Sequence, residues 1–198
     1  MEARDIKRYL ADLGAALKNR GVKKPLRMML IGGAYMLLLE NAPRSTEDID
    51  IFWLEVDAFE RMREVLSACM LEVARKHMLP PNWFNFLTQV ILMQDIYIPD
   101  GTLWKRFGPL YIYIPPREYI LALKITAGRP KDLDDCAILL PKSAIQTIEQ
   151  AQELLNKYIL PEAQEEEIAQ LKKERSLVLE RVSEMGEHLS KAQEREGE

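Results

Sequence analysis

The sequence of 198 residues contains little cysteine and histidine, and this scarcity excludes several kinds of site. Its two cysteines, Cys69 and Cys136, share no CxxC spacing, so they predict neither a zinc knuckle nor a disulfide framework. The two histidines, His77 and His188, are too few for a histidine metal cage or a histidine-driven hydrolase. Chemistry in this chain is therefore not expected to depend on either residue type.

The chain also lacks a long apolar run and a strong charge of one sign. Its longest nearly apolar segment, 28–39, is far shorter than the ~20 residues of a membrane helix. The N-terminal segment 1–17 carries charges throughout, unlike a signal peptide. A net charge of −4 argues against a coat for duplex nucleic acid but is compatible with a small basic patch around an RNA end. We expect a soluble, cytoplasmic protein with no membrane partner.

Charge divides the chain into a body, 1–160, and a tail, 161–198. The tail holds six Lys and Arg against eleven Asp and Glu, whereas the body holds 21 against 20. Spacing of three, four and seven residues in the tail predicts one amphipathic helix, interrupted at Arg175. Its apolar positions are Ile168, Leu171, Val178, Val182, Met185 and Leu189. A seam this short needs a partner, which is either the body or a second copy, and we expect a homodimer through the C-terminal helix.

Hydrophobic periodicity predicts an α+β body, with a small mixed sheet flanked by helices over about 22–115 and a helical part over about 116–160. A first helix begins near Ile6 and ends before Gly21. The predicted order then is strand, helix, strand, helix, irregular segment, strand and helices only. The strands are 26–31, the segment DIDIFWLEV and 109–115. The later helices cover 34–41, 57–78, 117–128, about 132–141, and a last one with Ser143 as its N-cap.

The segment 30–52 carries the most informative chemistry. Asp48 and Asp50 are two residues apart on a predicted strand, so both carboxylates project from one face and repel each other. A divalent cation removes this repulsion, and Mg²⁺ accepts carboxylate and phosphate oxygens. Gly32 and Gly33 lack a Cβ, so a phosphate can approach the main chain where the next helix begins. Together these features predict a phosphate and metal site.

This pattern resembles the minimal nucleotidyltransferases of the polymerase-beta superfamily. IGGAYMLLLENAPRSTEDIDIF, at 31–52, is similar to the subgroup with GGxA followed by RxTxDxD, which contains the AbiE-type toxin nucleotidyltransferases and several uncharacterised bacterial families. PPREYILALKITAGRPKDLDDCAILL, at 115–140, is similar to the downstream motif of that subgroup. The matching positions are Gly32, Gly33, Arg44, Thr46, Asp48, Asp50, Lys124, Arg129, Asp132 and Asp135.

The resemblance covers about residues 25–160 and leaves the tail out. It implies a nucleotidyltransferase-like domain over 1–160 and the transfer of a nucleotide from an NTP to an RNA, a protein or a small molecule. It implies Mg²⁺ or Mn²⁺ as the cofactor and a role in a toxin–antitoxin or phage-defence system, with a cognate partner protein. It assigns the metal to Asp48 and Asp50, which are catalytic together with Lys124 and Asp132. The nucleotide is assigned to Gly32, Gly33, Arg44, Ser45, Thr46, Lys124 and Arg129.

Two points of this resemblance leave alternatives open. Asp132 and Asp135 share a helical face, where they either orient Lys124 or Arg129 or cap the helix start. Many active members carry a third carboxylate on the strand after the following helix, and here the only acidic residue of that region near an apolar run is Asp95. WFNF, at 83–86, is similar to a W-hydrophobic-Asn element of one branch of the family. The rival hypothesis is therefore a catalytically silent binding or antitoxin-like module of the same fold.

Overall fold

The computed structural model describes residues 1–86 and 96–160, which form a mixed α+β fold. Its helices are α1 (Ala3–Asn19), α2 (Gly32–Leu39), α3 (Val56–His77), α4 (Arg117–Ala127), α5 (Pro130–Leu139) and α6 (Ile148–Tyr158). Its strands are β1 (Leu26–Leu30), β2 (Ile49–Trp53), β3 (Phe84–Asn85), β4 (Thr102–Phe107) and β5 (Leu110–Ile114). A 3-10 turn, Leu140–Lys142, connects α5 to the segment before α6.

The described residues fall into two units. The first holds residues 1–86 and 100–115, and the second holds 96–99 and 116–160. The first unit therefore contains the whole sheet with α1, α2 and α3, and the second contains α4, α5 and α6.

The five strands form one mixed sheet in the order β3-β2-β1-β5-β4. Strand β1 is parallel to β5 and antiparallel to β2, with Leu30 opposite Ile51. Strand β3 is parallel to β2, and β4 is antiparallel to β5. Because β1 and β2 run in opposite directions, the carboxyl end of β1 and the amino end of β2 meet at one edge of the sheet. This edge holds Gly32, Gly33, Asp48 and Asp50, four of the residues that the sequence singles out.

Helix α1 forms as its apolar spacing predicts and buries one face. Ile6, Leu10, Leu13 and Leu17 are fully buried, at the period of an amphipathic helix. Glu2 and Asp5 form a capping box at its start, and Gly21 follows its end at φ +79°, where a residue without Cβ is favoured. Gly14 lies so close to β4 that a Cβ there would overlap the carbonyl oxygen of Phe107.

Strand β4 was not expected, because the sequence before β5 predicts an irregular segment. Three of its residues, Thr102, Lys105 and Arg106, are exposed, as edge strands commonly are. The register with β5 shifts between Leu103 and Lys105, which breaks the alternation of period 2 that would have indicated a strand.

Helix α6 corrects a second expectation, since Ser143 is not its N-cap. The helix begins at Ile148, and the Thr147 hydroxyl accepts a hydrogen bond from the backbone N–H of Gln150. Ser143 instead donates its hydroxyl hydrogen to the carbonyl oxygen of Leu140 and ends the 3-10 turn. Both residues are favourable caps, so composition does not decide between them.

Some expectations lie outside the described residues. These are the tail helix over 161–198 with Arg175 in its seam, the homodimer that depends on it, and the role of Asp95. Of the helices within 1–86 and 96–160, none combines the length and the apolarity that crossing a bilayer requires.

Candidate functional site

Three chain segments meet at the edge where β1 ends and β2 begins. The backbone N–H of Ile31 donates to the carbonyl oxygen of Asp50 at 3.0 Å, which joins the end of β1 to the start of β2. Gly32 and Gly33 are the first residues of α2, so its unpaired N–H groups lie at this edge. Asp50 is the second residue of β2, and Asp48 lies immediately before the strand. The two predicted metal ligands and the glycine turn therefore occupy one edge of the first unit.

The Asp50 carboxylate is held between β3 and α2. The side-chain amide of Asn85 donates to its Oδ1 at 2.8 Å. On the other side, a Cβ on Gly32 would overlap Oδ2 of Asp50. Gly32 also has φ +65°, a backbone conformation that L side chains rarely adopt. The carboxylate thus lies against the amino end of α2, whose N–H groups favour negative charge.

The loop before β2 wraps around the same helix end through Thr46. Its buried hydroxyl donates to the carbonyl oxygen of Asp48 at 3.1 Å, and a Cβ on Gly33 would come within 2.5 Å of that hydroxyl. The amino group of Met1 donates to the Thr46 carbonyl oxygen at 2.6 Å, which ties the chain terminus to this loop. A guanidinium nitrogen of Arg44 lies 3.8 Å from the same Cβ position on Gly33.

This packing changes the interpretation of the two glycines. The sequence suggests that their missing Cβ atoms make room for a phosphate. In the structure, Asp50 and Thr46 occupy those positions themselves. The glycines are therefore required because a carboxylate and a hydroxyl pack directly against the helix end. Any anion at this edge would meet the N–H groups of α2 and the Arg44 guanidinium, with the exposed Ser45 beside them.

The carboxylates at this edge are suited to a metal only together with a ligand. Within the described residues, no three His, Cys, Asp or Glu side chains group as a metal site. Mg²⁺ is nevertheless commonly held by one or two carboxylates plus substrate phosphates and water. Asp48 and Asp50, beside a helix end that attracts phosphate, fit that type of binding. Glu55 does not add a third ligand, since its carboxylate pairs with Arg27 at 3.4 Å.

A second cluster of charged side chains lies in the second unit, between α4 and α5. Lys124 Nζ contacts Asp132 Oδ1 at 2.8 Å and Asp135 Oδ2 at 2.7 Å. All three side chains are almost fully buried, at 5% exposure or less. Arg129 Nε donates to the other oxygen of Asp132 at 2.6 Å. The structure therefore shows the two aspartates paired with Lys124, and one of them with Arg129 as well.

Asp132 also begins α5, so both roles considered for it are present. It is the third residue of that helix, and its carboxylate accepts the backbone N–H of Arg129, the N-cap residue, at 3.3 Å. Burial by itself raises the pKa of Asp132, but hydrogen bonds and charge from Arg129 and Lys124 outweigh burial and hold this pKa below its ordinary value. Asp132 is therefore a carboxylate at neutral pH.

Cys136, one turn further along α5, is not a nucleophile in this environment. Burial raises the pKa of its thiol to about 12, and the charges of Asp132 and Asp135 act in the same direction. The thiol stays protonated at neutral pH, and it is the thiolate that attacks or binds metals.

The sequence analysis missed the position of Asn85. Strand β3 is only two residues long, and its parallel pairing places Asn85 opposite Asp50. The signal was present in the WFNF element, where Trp83 and Phe84 are buried and Asn85 is partly exposed. Strand β3, which follows α3, thus brings a neutral amide to the Asp50 carboxylate.

No protein family, no curated protein and no solved structure matches this chain.

Proposed function

We propose that this chain is a Mg²⁺- or Mn²⁺-dependent nucleotidyltransferase that moves a nucleotide from an NTP to an RNA, protein or small-molecule acceptor. One observation carries the proposal. The amino end of α2, with its glycine pair, packs against the Asp50 carboxylate at the edge where β1 ends and β2 begins. This edge thus combines backbone N–H groups that can bind phosphate with carboxylate oxygens that can bind a cation. A nucleotide–metal complex requires both.

The residues of this edge have different roles in the proposed reaction. Asp48 and Asp50 would hold the metal, which neutralises the triphosphate and lowers the pKa of the attacking hydroxyl. The N–H groups of α2 and the guanidinium of Arg44 bind phosphate oxygens, because both present hydrogen-bond donors and positive charge. Asn85 orients Asp50, and Thr46 holds the loop that carries Arg44. These interactions position the triphosphate and stabilise the charge that develops on it.

The second cluster has a separate part in this proposal. Lys124 and Arg129 are the predicted nucleotide contacts of the second unit, and Asp132 and Asp135 fix the position of Lys124. A lysine held by two carboxylates is strongly oriented, and a ligand phosphate would have to compete with them for its ammonium group. By the same family resemblance, the protein would act in a toxin–antitoxin or phage-defence system together with a cognate protein.

A catalytically silent binding or antitoxin-like module is the alternative, and Asn85 is the observation that favours it. A neutral amide adjoins Asp50 on β3, which leaves two carboxylates at this edge among the residues described. Such a site would bind an NTP with Mg²⁺ and transfer nothing.

Titration of a fluorescent NTP into the full chain, with Mg²⁺ and with EDTA, tests the site without knowledge of the acceptor. We expect binding that requires Mg²⁺ and that Asp48→Asn with Asp50→Asn weakens at least about tenfold, since two charge-assisted contacts are lost. Glu64→Gln with Asp100→Asn, two exposed carboxylates elsewhere in the first unit, is the control with the same charge change. Binding that neither EDTA nor the Asp48 and Asp50 changes affect would refute both functions. Metal-dependent binding without release of pyrophosphate from any acceptor pool would support the silent module.

A further inference from the structure

Positive charge is concentrated in two segments of an acidic chain. Between residues 13 and 39 there is no Asp or Glu, while Lys18, Arg20, Lys23, Lys24 and Arg27 all occur there. Residues 101–117 likewise contain no acidic residue, and they include Lys105 and Arg106. The net charge of the whole chain is −4, so this distribution is not a consequence of overall composition.

The sheet brings these two segments together at one end of the first unit. The backbone N–H of Leu26 donates to the carbonyl oxygen of Pro109 at 2.8 Å, at the turn between β4 and β5. Arg27 on β1 lies opposite Tyr111 on β5, and Tyr111 lies opposite Arg106 on β4. A Cβ on Gly108, in the turn, would lie 3.8 Å from the Cβ of Lys18 on α1. We call the exposed cations at this end the basic patch: Lys18, Lys23, Lys24, Arg27, Lys105 and Arg106.

Few carboxylates balance the basic patch. Arg27 pairs with Glu55 at 3.4 Å, with both side chains about half exposed. Within residues 1–86 and 96–160, no ion pair joins the other five cations to a carboxylate. Such an exposed cluster produces a local positive potential that attracts a polyanion despite the negative charge of the whole chain.

An aromatic ring lies among these cations and indicates which polyanion fits. The guanidinium of Arg106 lies 4.9 Å from the centre of the partly exposed Tyr111 ring. The ammonium of Lys105 lies 5.5 Å from the centre of the Phe107 ring, which is buried. Because residues opposite each other in a sheet share a face, Arg27, Tyr111 and Arg106 form a row across three strands. Guanidinium planes and partly exposed tyrosines stack on unpaired bases, while the cations bind the phosphates between them.

We propose that the basic patch binds a single-stranded stretch of RNA, so that the acceptor of the reaction is an RNA. The identity of the acceptor rests on the proposed nucleotidyltransferase function, whereas the RNA contact itself does not. The basic patch lies at the amino end of β1, and the candidate site lies at its carboxyl end, about 13 Å away for a strand of this length. An RNA bound at the basic patch would therefore have its end within reach of the candidate site.

An anionic membrane and an acidic protein are less suitable partners. Membrane-surface binding combines cations with a large apolar face, whereas the large apolar residues found exposed among the described side chains of the first unit, Leu71 and Met78, belong to α3 and its C-cap. An acidic peptide offers carboxylates but no flat rings for the Arg27, Tyr111 and Arg106 row.

Fluorescence anisotropy of a short labelled single-stranded RNA of mixed sequence tests the proposal on the full chain, without NTP or metal. We expect binding that weakens steeply between about 50 and 200 mM salt. Lys23→Glu with Lys24→Glu, and separately Lys105→Glu with Arg106→Glu, should each weaken binding by about tenfold or more. Each pair should also reduce the slope of log affinity against log salt by about 1.4, since ~0.7 is lost per phosphate contact. The control is Lys7→Glu with Lys131→Glu, which changes the net charge by the same amount at two exposed lysines outside the basic patch.

The outcomes separate this proposal from the nucleotidyltransferase function. Patch variants that lose RNA binding but keep Mg²⁺-dependent NTP binding and their circular dichroism spectrum support it, whether or not transfer is detected. Equal weakening by the control pair would show that only net charge matters and would overturn it. It is also overturned if wild-type protein does not bind the RNA, or if it prefers vesicles of phosphatidylserine and phosphatidylcholine to the RNA at the same salt.

Discussion

The side-chain amide of Asn85 donates a 2.8 Å hydrogen bond to Oδ1 of Asp50, across the pairing of β3 with β2. These residues are 35 positions apart in the chain, and they meet because the two strands are parallel and in register. A neutral donor at this position stabilises the Asp50 carboxylate without adding negative charge beside Asp48. The electrostatics of the candidate site therefore depend on a residue that carries no charge itself.

Asn85→Asp should convert this hydrogen bond into a repulsion between two carboxylates. We expect the free energy of unfolding to fall by about 1–3 kcal/mol in EDTA, because a charge-assisted hydrogen bond is lost. Millimolar Mg²⁺ should restore part of that loss, since the cation binds the folded state with its extra carboxylate. Thermal denaturation of wild type, Asn85→Asp and Asn85→Ala with EDTA and with Mg²⁺ measures this. A melting temperature of Asn85→Asp that Mg²⁺ does not raise would contradict a metal at this edge.

Gly32→Ala should destabilise the protein more than the same change at Gly21. Both glycines have positive φ, +65° and +79°, so both substitutions strain the backbone by about 1–2 kcal/mol. Only at Gly32 does the new Cβ also overlap Asp50, since no atom lies within 4 Å of that position at Gly21. Urea denaturation of the two variants isolates the contact. Adding Asp50→Ala to Gly32→Ala should recover part of the loss, and an equal effect at the two glycines would show that Asp50 does not pack there.

Gly14→Ala should destabilise the protein although it places alanine in a helix. In an exposed helix interior this change adds about 1 kcal/mol of stability. Here the Cβ would overlap the Phe107 carbonyl oxygen on β4, and overpacking of this kind costs about 1–3 kcal/mol. The melting temperature should fall. Ala15→Gly, at an exposed position of the same helix, measures the effect of helix propensity without a packing contact. A rise on Gly14→Ala would mean that α1 and β4 are not in close contact.

Lys124→Met should be among the most destabilising single changes in the second unit. It leaves Asp132 and Asp135 buried without the ammonium group that both contact, and breaking a buried pair from one side costs about 3–5 kcal/mol. Chemical denaturation measures the loss, with the exposed Lys131→Met as the matched control. Asp132→Asn with Asp135→Asn, added to Lys124→Met, should recover stability. If Lys124→Met alone is as stable as the control, the buried cluster is not formed.

Acid should weaken the second cluster in a definite pH range. The pKa of Asp132 is lowered in the folded state, so its stabilising effect is complete above its ordinary pKa of about 4 and is lost as pH falls through the lower folded value. The free energy of unfolding should therefore fall more steeply below pH 4 in wild type than in Asp132→Asn. Urea denaturation from about pH 2 to pH 6 gives both curves. Parallel curves would show that Asp132 has the same pKa in the folded and unfolded chain.

Local pattern was enough to predict the α+β class and most of the elements. The apolar positions of α1 from Ile6 to Leu17, its end before Gly21, and the run that forms β1 are all properties of short segments. The alternation around Asp50 likewise indicated a strand, and Asp48 proved to lie just before it. These predictions succeeded because period and capping act over one or two turns of helix or a few residues of strand.

Only the tertiary structure decided which side chains meet. The opposition of Asn85 and Asp50 depends on strand register, and the alignment of Arg27 with Arg106 across Tyr111 depends on the pairing of β5 with β1 and β4. Strand β4 can be recognised only from its pairing with β5. Its edge position and its shift of register remove the alternation of buried and exposed residues that would have indicated a strand. Residue types that can bind a phosphate or a metal are local information. Their grouping at one edge of a sheet is determined by contacts between segments that are distant in the chain. A hydrophobic period within one segment carries no information about those contacts.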